Sequence, residues 1–396
     1  MEIENDKRIL VISNIGCGPP FMGNRIRMRE LLKQIKNLGY VIHFAGICLN
    51  DEEIQSVEPH IDFWITNFKR REKNKWIEVI RKTASSFIYC FGFNKKLKKK
   101  INYELDDFFE DRWLEEVCRI QEINKYNRVL IPYIFNSKFF NAFQNSTVKI
   151  LDTHDLFGNR NQILQKLGIE NLWFSTTIDD EKRGLQRANK IIAIQHHEEE
   201  YFRKLAEDQA EVRTVSHFIE PQFLSISPQS YGIFGFIGSE NPLNVNGLRW
   251  FIYDVLPLVK QKIPEFKFLI GGGICRKIEK NEDYELLGKI DSINDFYKAC
   301  SFTINPIQAG TGLKIKTIES IAFGRPVVSS SNGAVGLESF INNGVCVADK
   351  PEQFAEHIIT YLAHDDELIR SIQNSRKIIR MFNSVSLENL TDILHT

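Results

Sequence analysis

Short apolar runs of strand length alternate along this chain with longer stretches whose apolar residues fall three and four apart. Arg8 to Ser13 and Val41 to Ile47 are two such runs, and Arg25 to Leu38 between them carries Met28, Leu31, Leu32, Ile35 and Leu38 at helical spacing. That pattern predicts a βαβ unit. Arg128 to Ile134 and Val148 to Asp152 read as further strands. Residues 213–230, RTVSHFIEPQFLSISPQS, break the periodicity with prolines and serines and read as an interdomain linker. The alternation then restarts. Gly232 to Gly238 predicts a strand, Asn244 to Ile263 a long helix with Leu248, Ile252, Val255 and Val259 on one face, and Phe266 to Ile270 a strand ending in Gly271-Gly272-Gly273. Tyr284 to Ile290 and Ser292 to Cys300 add a strand and a helix, Gly344 to Asp349 another strand, and helices follow from Glu352, the last near Leu387 to Leu394. Strand and helix in regular alternation predict the α/β class, and 396 residues exceed one ordinary core, so two domains are expected.

Gln308 to Gly336, QAGTGLKIKTIESIAFGRPVVSSSNGAVG, carries the clearest chemistry. The run Phe302 to Ile307 empties into an Ala-Gly-Thr-Gly turn, and Lys314 to Phe323 has helical spacing. Gly310 and Gly312 let backbone approach a ligand, and the first-turn amides of the helix are donors with partial positive charge. Lys314 and Lys316 add cations at the same end. Glu319, further in, can offer a carboxylate to vicinal hydroxyls. Phosphate plus diol suggests a nucleotide sugar, although an ordinary βα unit with a cationic surface turn has the same signature. The helix is expected to stop at Gly324, with Pro326 opening the strand Val327 to Ser330.

Lysine and arginine balance aspartate and glutamate at 51 each, so no bulk charge recruits nucleic acid. Seven scattered cysteines form no CxxC pair and no zinc spacing. No run of eighteen apolar residues appears and MEIENDKRILVIS lacks the small-residue cleavage site of a signal peptide, so a soluble, cytoplasmic protein is expected. One tract stands apart. Residues 69–100 hold twelve Lys and Arg against Glu72 and Glu78, a local net of about +10. Between FKRREKNK and NKKLKKK lies FIYCFGF. Cations around aromatics suit peripheral association with an anionic membrane, at its inner face, where a lipid-linked acceptor is met; the same residues also suit a solvated helix with FIYCFGF in the core.

The Gln308 to Gly336 segment resembles the donor-binding segment of the retaining, two-Rossmann (GT-B) glycosyltransferases of family 4: a glycine turn, a helix with an acidic residue, then G-x-P-V-V. The resemblance covers most of the chain except roughly 50–125. It implies two Rossmann-like domains facing an interdomain cleft: an acceptor domain at 1–215 with a basic, aromatic insertion at about 64–125, a nucleotide-sugar domain at 216–380, and a helix at 381–396 returning to the first. The loop GCGPPFMGNRIR is glycine-rich where a first strand should face a crevice, and it lacks the GxGxxG fingerprint of nicotinamide binding. By resemblance its Gly23 meets the donor, with Asn24, Arg25 and Arg27 as polar candidates for the acceptor. The Asp152-Thr153-His154-Asp155 stretch, followed by RANKIIA at 187–193, resembles another family pattern, in which His154 contacts the donor's sugar and Asp155 faces the acceptor. A neutral imidazole can also exchange a proton with an acceptor hydroxyl, while a hydrogen bond to Asp152 or Asp155 would make His154 structural instead. His196 and His197 read as a surface pair starting a helix.

The same resemblance makes Gly238, Asn244, Gly272, Ile290, Gly310, Thr311, Gly312, Leu313, Lys316 and Glu319 donor contacts. It departs at two places. Thr311 stands where the family's acidic pair has its first member, and the turn Ser239-Glu240-Asn241-Pro242-Leu243-Asn244 lacks the Arg and Lys that usually neutralise the diphosphate. Lys314 and Lys316 are the substitutes, which makes Lys314 a catalytic residue beside His154. The implied reaction is transfer with retention to a glycan or lipid-linked acceptor, without cofactor or metal, the leaving phosphate taking the acceptor's proton. A nucleotide-sugar epimerase of the same plan and a non-catalytic nucleotide-sugar-binding subunit are the alternatives.

Overall fold

The structure, a computed structural model, describes residues 7–18, 23–70, 102–166, 174–207, 209–310 and 313–395. Its thirteen described strands are β1 (Arg8–Ser13), β2 (Val41–Ile47), β3 (Phe63–Phe68), β4 (Arg128–Pro132), β5 (Val148–Asp152), β6 (Lys190–Ala193), β7 (Glu211–Thr214), β8 (Ile233–Ile237), β9 (Lys267–Gly271), β10 (Glu285–Gly288), β11 (Phe302–Asn305), β12 (Val327–Ser329) and β13 (Val345–Val347). The helices among them are α1 (Gly23–Asn37), α2 (Asp51–Val57), α3 (Asp111–Asn124), α4 (Arg160–Lys166), α5 (Ile178–Leu185), α6 (His196–Leu205), α7 (Pro242–Trp250), α8 (Leu256–Lys262), α9 (Ile293–Ala299), α10 (Ile315–Ala322), α11 (Pro351–Ala363) and α12 (Asp365–Leu394).

Two sheets result, with strand orders β3-β2-β1-β4-β5-β6-β7 and β10-β9-β8-β11-β12-β13. Both begin with the doubly wound order in which the chain returns to the centre and then winds the other way. The central registers are parallel: Leu10 faces His43 and Val129, and Thr303 faces Gly235 and Val327. This is an α/β protein with two Rossmann-like halves. The chain forms two compact units, one of Met1–Thr153, Phe157–Ile191 and Leu205–Ala210, the other of His154–Leu156, Ile192–Lys204 and Glu211–Thr396.

Parallel strands covered by helices on both faces must be apolar throughout rather than alternating, which is why the runs were readable. Ile9 to Ile12 are fully buried, as are Phe234, Phe236 and Phe268 in the second sheet, where Phe234 stacks on Phe268 and Phe302 at 4.7 and 5.2 Å. Burying each such side chain contributes roughly 1.5–3 kcal/mol.

Three elements differ from expectation. The helix expected over 244–263 is broken into α7, a π-helical turn at Phe251–Val255, and α8. Pro257 has no N–H to give Tyr253, so the chain widens by one residue there instead of continuing its regular ladder. The helix expected near 387–394 is the end of the 30-residue α12, whose Leu368, Ile372, Ile379, Phe382, Leu390 and Ile393 keep one buried stripe with no proline or glycine to interrupt it. Within 50–125, β3, α2 and α3 are regular elements, and α2 is closed by a capping box between Asn50 and Glu53. Most of the basic tract, 71–100, lies outside the described residues.

Candidate functional site

In the second sheet the winding reverses between β8 and β11, and the turns leaving these two strands form the walls of the site. After β8 comes Gly238, whose N–H bonds to Gly271 O at 3.0 Å while its carbonyl accepts from Ile274 N at 3.0 Å. Gly272 has φ +92°, and a Cβ there would lie 2.4 Å from Gly238 O. No side chain fits at Gly272 between these backbones, so that glycine is required by the fold itself, while a Cβ on Gly238 would press on the Phe236 ring at 2.9 Å. Ile290 packs its side chain where a Cβ on Gly271 would go, closing the same edge.

After β11 the chain passes Gln308 to Gly310, which has φ +126°, and α10 starts at Ile315. Thr311 and Gly312 lie outside the described residues. No described side chain caps the start of α10. Two ammonium groups stand there instead. Lys314 Nζ donates to Gly310 O at 3.3 Å, and Lys316 Nζ donates to Asn244 Oδ1 at 2.6 Å while lying 5.4 Å from the centre of the Phe236 ring. Asn244 is held from its other side, its Nδ2 donating to Ser239 O at 3.0 Å and to Ser239 Oγ at 3.1 Å. The amide therefore ties the ammonium to the turn after β8.

Burial pulls both lysines far below their usual range, to about 8, and Lys316 is lowered further by Lys314 beside it. The carboxylates of Asp155 and Glu198 oppose this at Lys314, and Glu319 opposes it at Lys316. Two half-buried cations beside one helix start suit an anion of more than one charge. Glu319 is the deep end of the seat. Burial raises its pKa, and the hydroxyl of Tyr297, itself fully buried, counters by donating to Oε2 at 2.9 Å. A cavity of about 630 Å³ adjoins the Gly310 turn, lined by Gln308, Asn332 and Asp349 among others; Asn332 Nδ2 bonds Gly310 O at 3.1 Å and Asp349 accepts from Ser331 N at 2.8 Å.

The other expected residues fall as follows. Leu313 is not free to reach a ligand with its side chain, which packs into the core with Ile318 and Ile321 and fills the space a Cβ on Gly336 would take. His154 is buried, with φ +63°, an unusual backbone for a residue with a Cβ. Asp155 is partly exposed, accepts from Leu156 N at 2.9 Å, and acts on Lys314. Gly23 opens α1. Asn24 Nδ2 bonds the Tyr133 hydroxyl at 3.2 Å, and Arg25 bonds Gly18 O at 2.7 Å and Glu53 at 2.6 Å. Arg27 corrects the expectation of an acceptor contact: it is 4% exposed and its guanidinium clasps the fully buried Asp152 at 2.6 Å. A paired, buried arginine braces β5 against α1. Its phase gives this away, since Arg27 stands four residues before the buried Leu31. His196 and His197 are exposed at the start of α6, as their sequence suggested. Glu198 went unrecognised in the run HHEEE, yet it is fully buried, four residues before the buried Phe202. Tyr297 had no signal at all.

Residues 232–364, about a third of the chain, match the family model described as "Glycosyl transferases group 1". An uncharacterized 44.6 kDa protein in the cps region of Klebsiella pneumoniae is 30% identical over 132 residues, 30% of this chain and 34% of that protein, so the match spans about a third of the relative's length. Among solved structures, TarM of S. aureus is similar over 100% of both chains at 14% identity and TM-score 0.68. HepE (Alr3699) of Anabaena, solved in complex with UDP, is similar over 97% of this chain and 99% of its own, at 11% identity and TM-score 0.61. The likeness in structure extends along the whole chain and establishes the GT-B fold, while the likeness in sequence to group 1 glycosyltransferases falls on the half that holds Lys314, Lys316 and Glu319.

Proposed function

We propose that the protein is a glycosyltransferase that moves a sugar from a nucleotide-diphosphate sugar to a glycan or lipid-linked acceptor. The observation that carries this reading is the pair of half-buried ammonium groups of Lys314 and Lys316, bonded to Gly310 O and Asn244 Oδ1 at the start of α10, where no described side chain caps the helix. A diphosphate there would meet both cations and the helix amides. As the bond from the anomeric carbon to the phosphate oxygen breaks, the charge appearing on that phosphate falls on donors already in place. Glu319 then takes the ribose hydroxyls and His154 the side of the donor's sugar. Retention follows if the departing phosphate accepts the acceptor's proton on the same face, a route that needs neither a protein nucleophile nor a metal.

The UDP bound to HepE makes a uridine nucleotide the first donor to try. The relative in a cps region supports a role in bacterial surface polysaccharide synthesis. No helix among the described residues is long and apolar enough to cross a membrane, and we assign the basic tract at 69–100 to the inner membrane face, where lipid-linked acceptors are presented from the cytoplasm.

A thermal-shift screen of UDP, GDP, ADP and their sugars tests the seat, because a ligand that binds only the native state at about a hundred times its Kd stabilises it by roughly 2.7 kcal/mol. One nucleotide series is expected to raise Tm. Lys314→Ala should lower transfer on the order of a hundredfold, comparable to losing one oxyanion donor. A silent screen, or an unchanged rate in a folded Lys314→Ala protein, would overturn the assignment.

A further inference from the structure

A cavity of about 500 Å³ lies inside the first unit, bordered by Asn14 directly after β1 and by Asn136 after β4. These strands are neighbours at the point where the first sheet reverses its winding, the position at which open α/β sheets take ligands. The two asparagines are joined across it, Asn136 Nδ2 donating to Asn14 Oδ1 at 2.9 Å. A third polar group on the wall is the Glu53 carboxylate, fixed by Arg25 and by Asn50 N. Rings complete the lining: Tyr103 lies parallel to Phe174 at 6.1 Å, Phe135 meets Phe174 at 4.9 Å, and Phe108 packs on Tyr103 and Phe174. Phe108 is 39% exposed, and the Arg70 guanidinium, also on the lining, lies over its ring at 5.9 Å from the centre. Two residues beside the same edge of the sheet hold positive φ without being glycine, Cys48 at 54° after β2 and Tyr133 at 64° after β4. Such strain gathers where a structure is built around a ligand.

We propose that this cavity is the acceptor subsite and that it holds a sugar ring of a glycan, not the hydrocarbon of a lipid carrier. The inference rests on the transferase reading and adds the acceptor's chemistry to it. A pyranose is apolar on the face formed by its C–H groups and polar around its rim, which matches a lining that combines aromatic rings with two amides, a carboxylate and the Arg70 guanidinium. A hydrocarbon chain would match the rings alone. It would take Asn14, Asn136 and Glu53 out of water without replacing their hydrogen bonds, a penalty that a sugar's hydroxyls remove. Arg25, expected to touch the acceptor, acts here by holding Glu53.

The test uses the full chain with methyl glycosides of glucose, galactose and N-acetylglucosamine as probes, read by saturation-transfer NMR. Farnesyl phosphate serves as the lipid arm and UDP thermal shift as the control for the other half. At least one glycoside should receive saturation on its ring protons, and Phe108→Ala should weaken that binding about tenfold with the UDP shift retained. If Phe108→Ala does not fold, Asn14→Ala gives the same reading. Absence of glycoside binding while UDP still binds would overturn the proposal, as would binding indifferent to both variants. Farnesyl phosphate bound through its chain in a Phe108-dependent way would assign the cavity to lipid instead. Glycoside binding without any nucleotide binding would leave the subsite standing and bring down the transferase reading alone.

Discussion

At the scale of single residues, the proposed function depends on two amines whose pKa values burial pulls down to about 8. The free lysine value of 10.5 falls to about 8 at Lys314 and Lys316 on folding. Between those values the unfolded chain holds protons that the native chain has released, so these sites add stability as pH rises through that window, and below it they cost the native state their burial. A bound diphosphate reverses the sign, because it favours the charged amines and draws their pKa values back up. UDP affinity is therefore expected to be highest below pH 8 and to fall above it, with protons taken up on binding. Calorimetry at about pH 8.5 in buffers of different ionisation enthalpy measures that uptake directly; the nucleotide's own phosphates are already ionised there. Binding with no uptake and with flat affinity from about pH 7 to 9.5 would mean the diphosphate sits elsewhere. The lysines were legible because they follow a glycine turn in sequence. Their burial was not, because Asn244, Glu198 and Asp155, which set their state, come from distant parts of the chain.

Among elements, the strands of the second half were legible to within about two residues, since buried parallel strands are uninterrupted apolar runs bounded by glycine, whereas two of its helices were not. β3 was not. Its FWITNF mixes apolar and polar positions, and it lies next to a charged tract that dominates the local composition. The turns after β8 and β9 show what a glycine pattern conceals. Gly272 and Gly288 both have positive φ, at +92° and +72°, yet a Cβ on Gly272 would press on the Gly238 carbonyl whereas one on Gly288 meets nothing within 4 Å. Gly288→Ala should cost about 1 kcal/mol from the left-handed backbone alone. Gly272→Ala adds a backbone clash and should cost about 3 kcal/mol or more, and by displacing Gly238 it should also weaken UDP binding. Melting temperatures of the two variants compare these directly; equal losses would mean the contact between the turns is unimportant.

For the whole molecule, the net charge of zero conceals a division. Twelve cations and two glutamates in 69–100 leave 39 Lys and Arg against 49 Asp and Glu elsewhere, about −10 on the rest of the chain. A remainder of net negative charge is repelled by an anionic membrane, so the tract must bring the protein there against that repulsion. Each basic residue near such a surface contributes about 1 kcal/mol, and the attraction fades within a Debye length of about 8 Å at physiological salt. The protein should therefore sediment with phosphatidylserine-containing vesicles at about 0.15 M salt and be released at about 1 M, where the Debye length is about 3 Å. Changing Lys95, Lys96, Lys98, Lys99 and Lys100 to Gln should release it at the lower salt while leaving the UDP thermal shift intact, because the proposed nucleotide seat is built on the second sheet. Equal binding to neutral vesicles would point to FIYCFGF acting by insertion alone, and no binding to either would remove the membrane from the proposed function without touching the chemistry at Lys314.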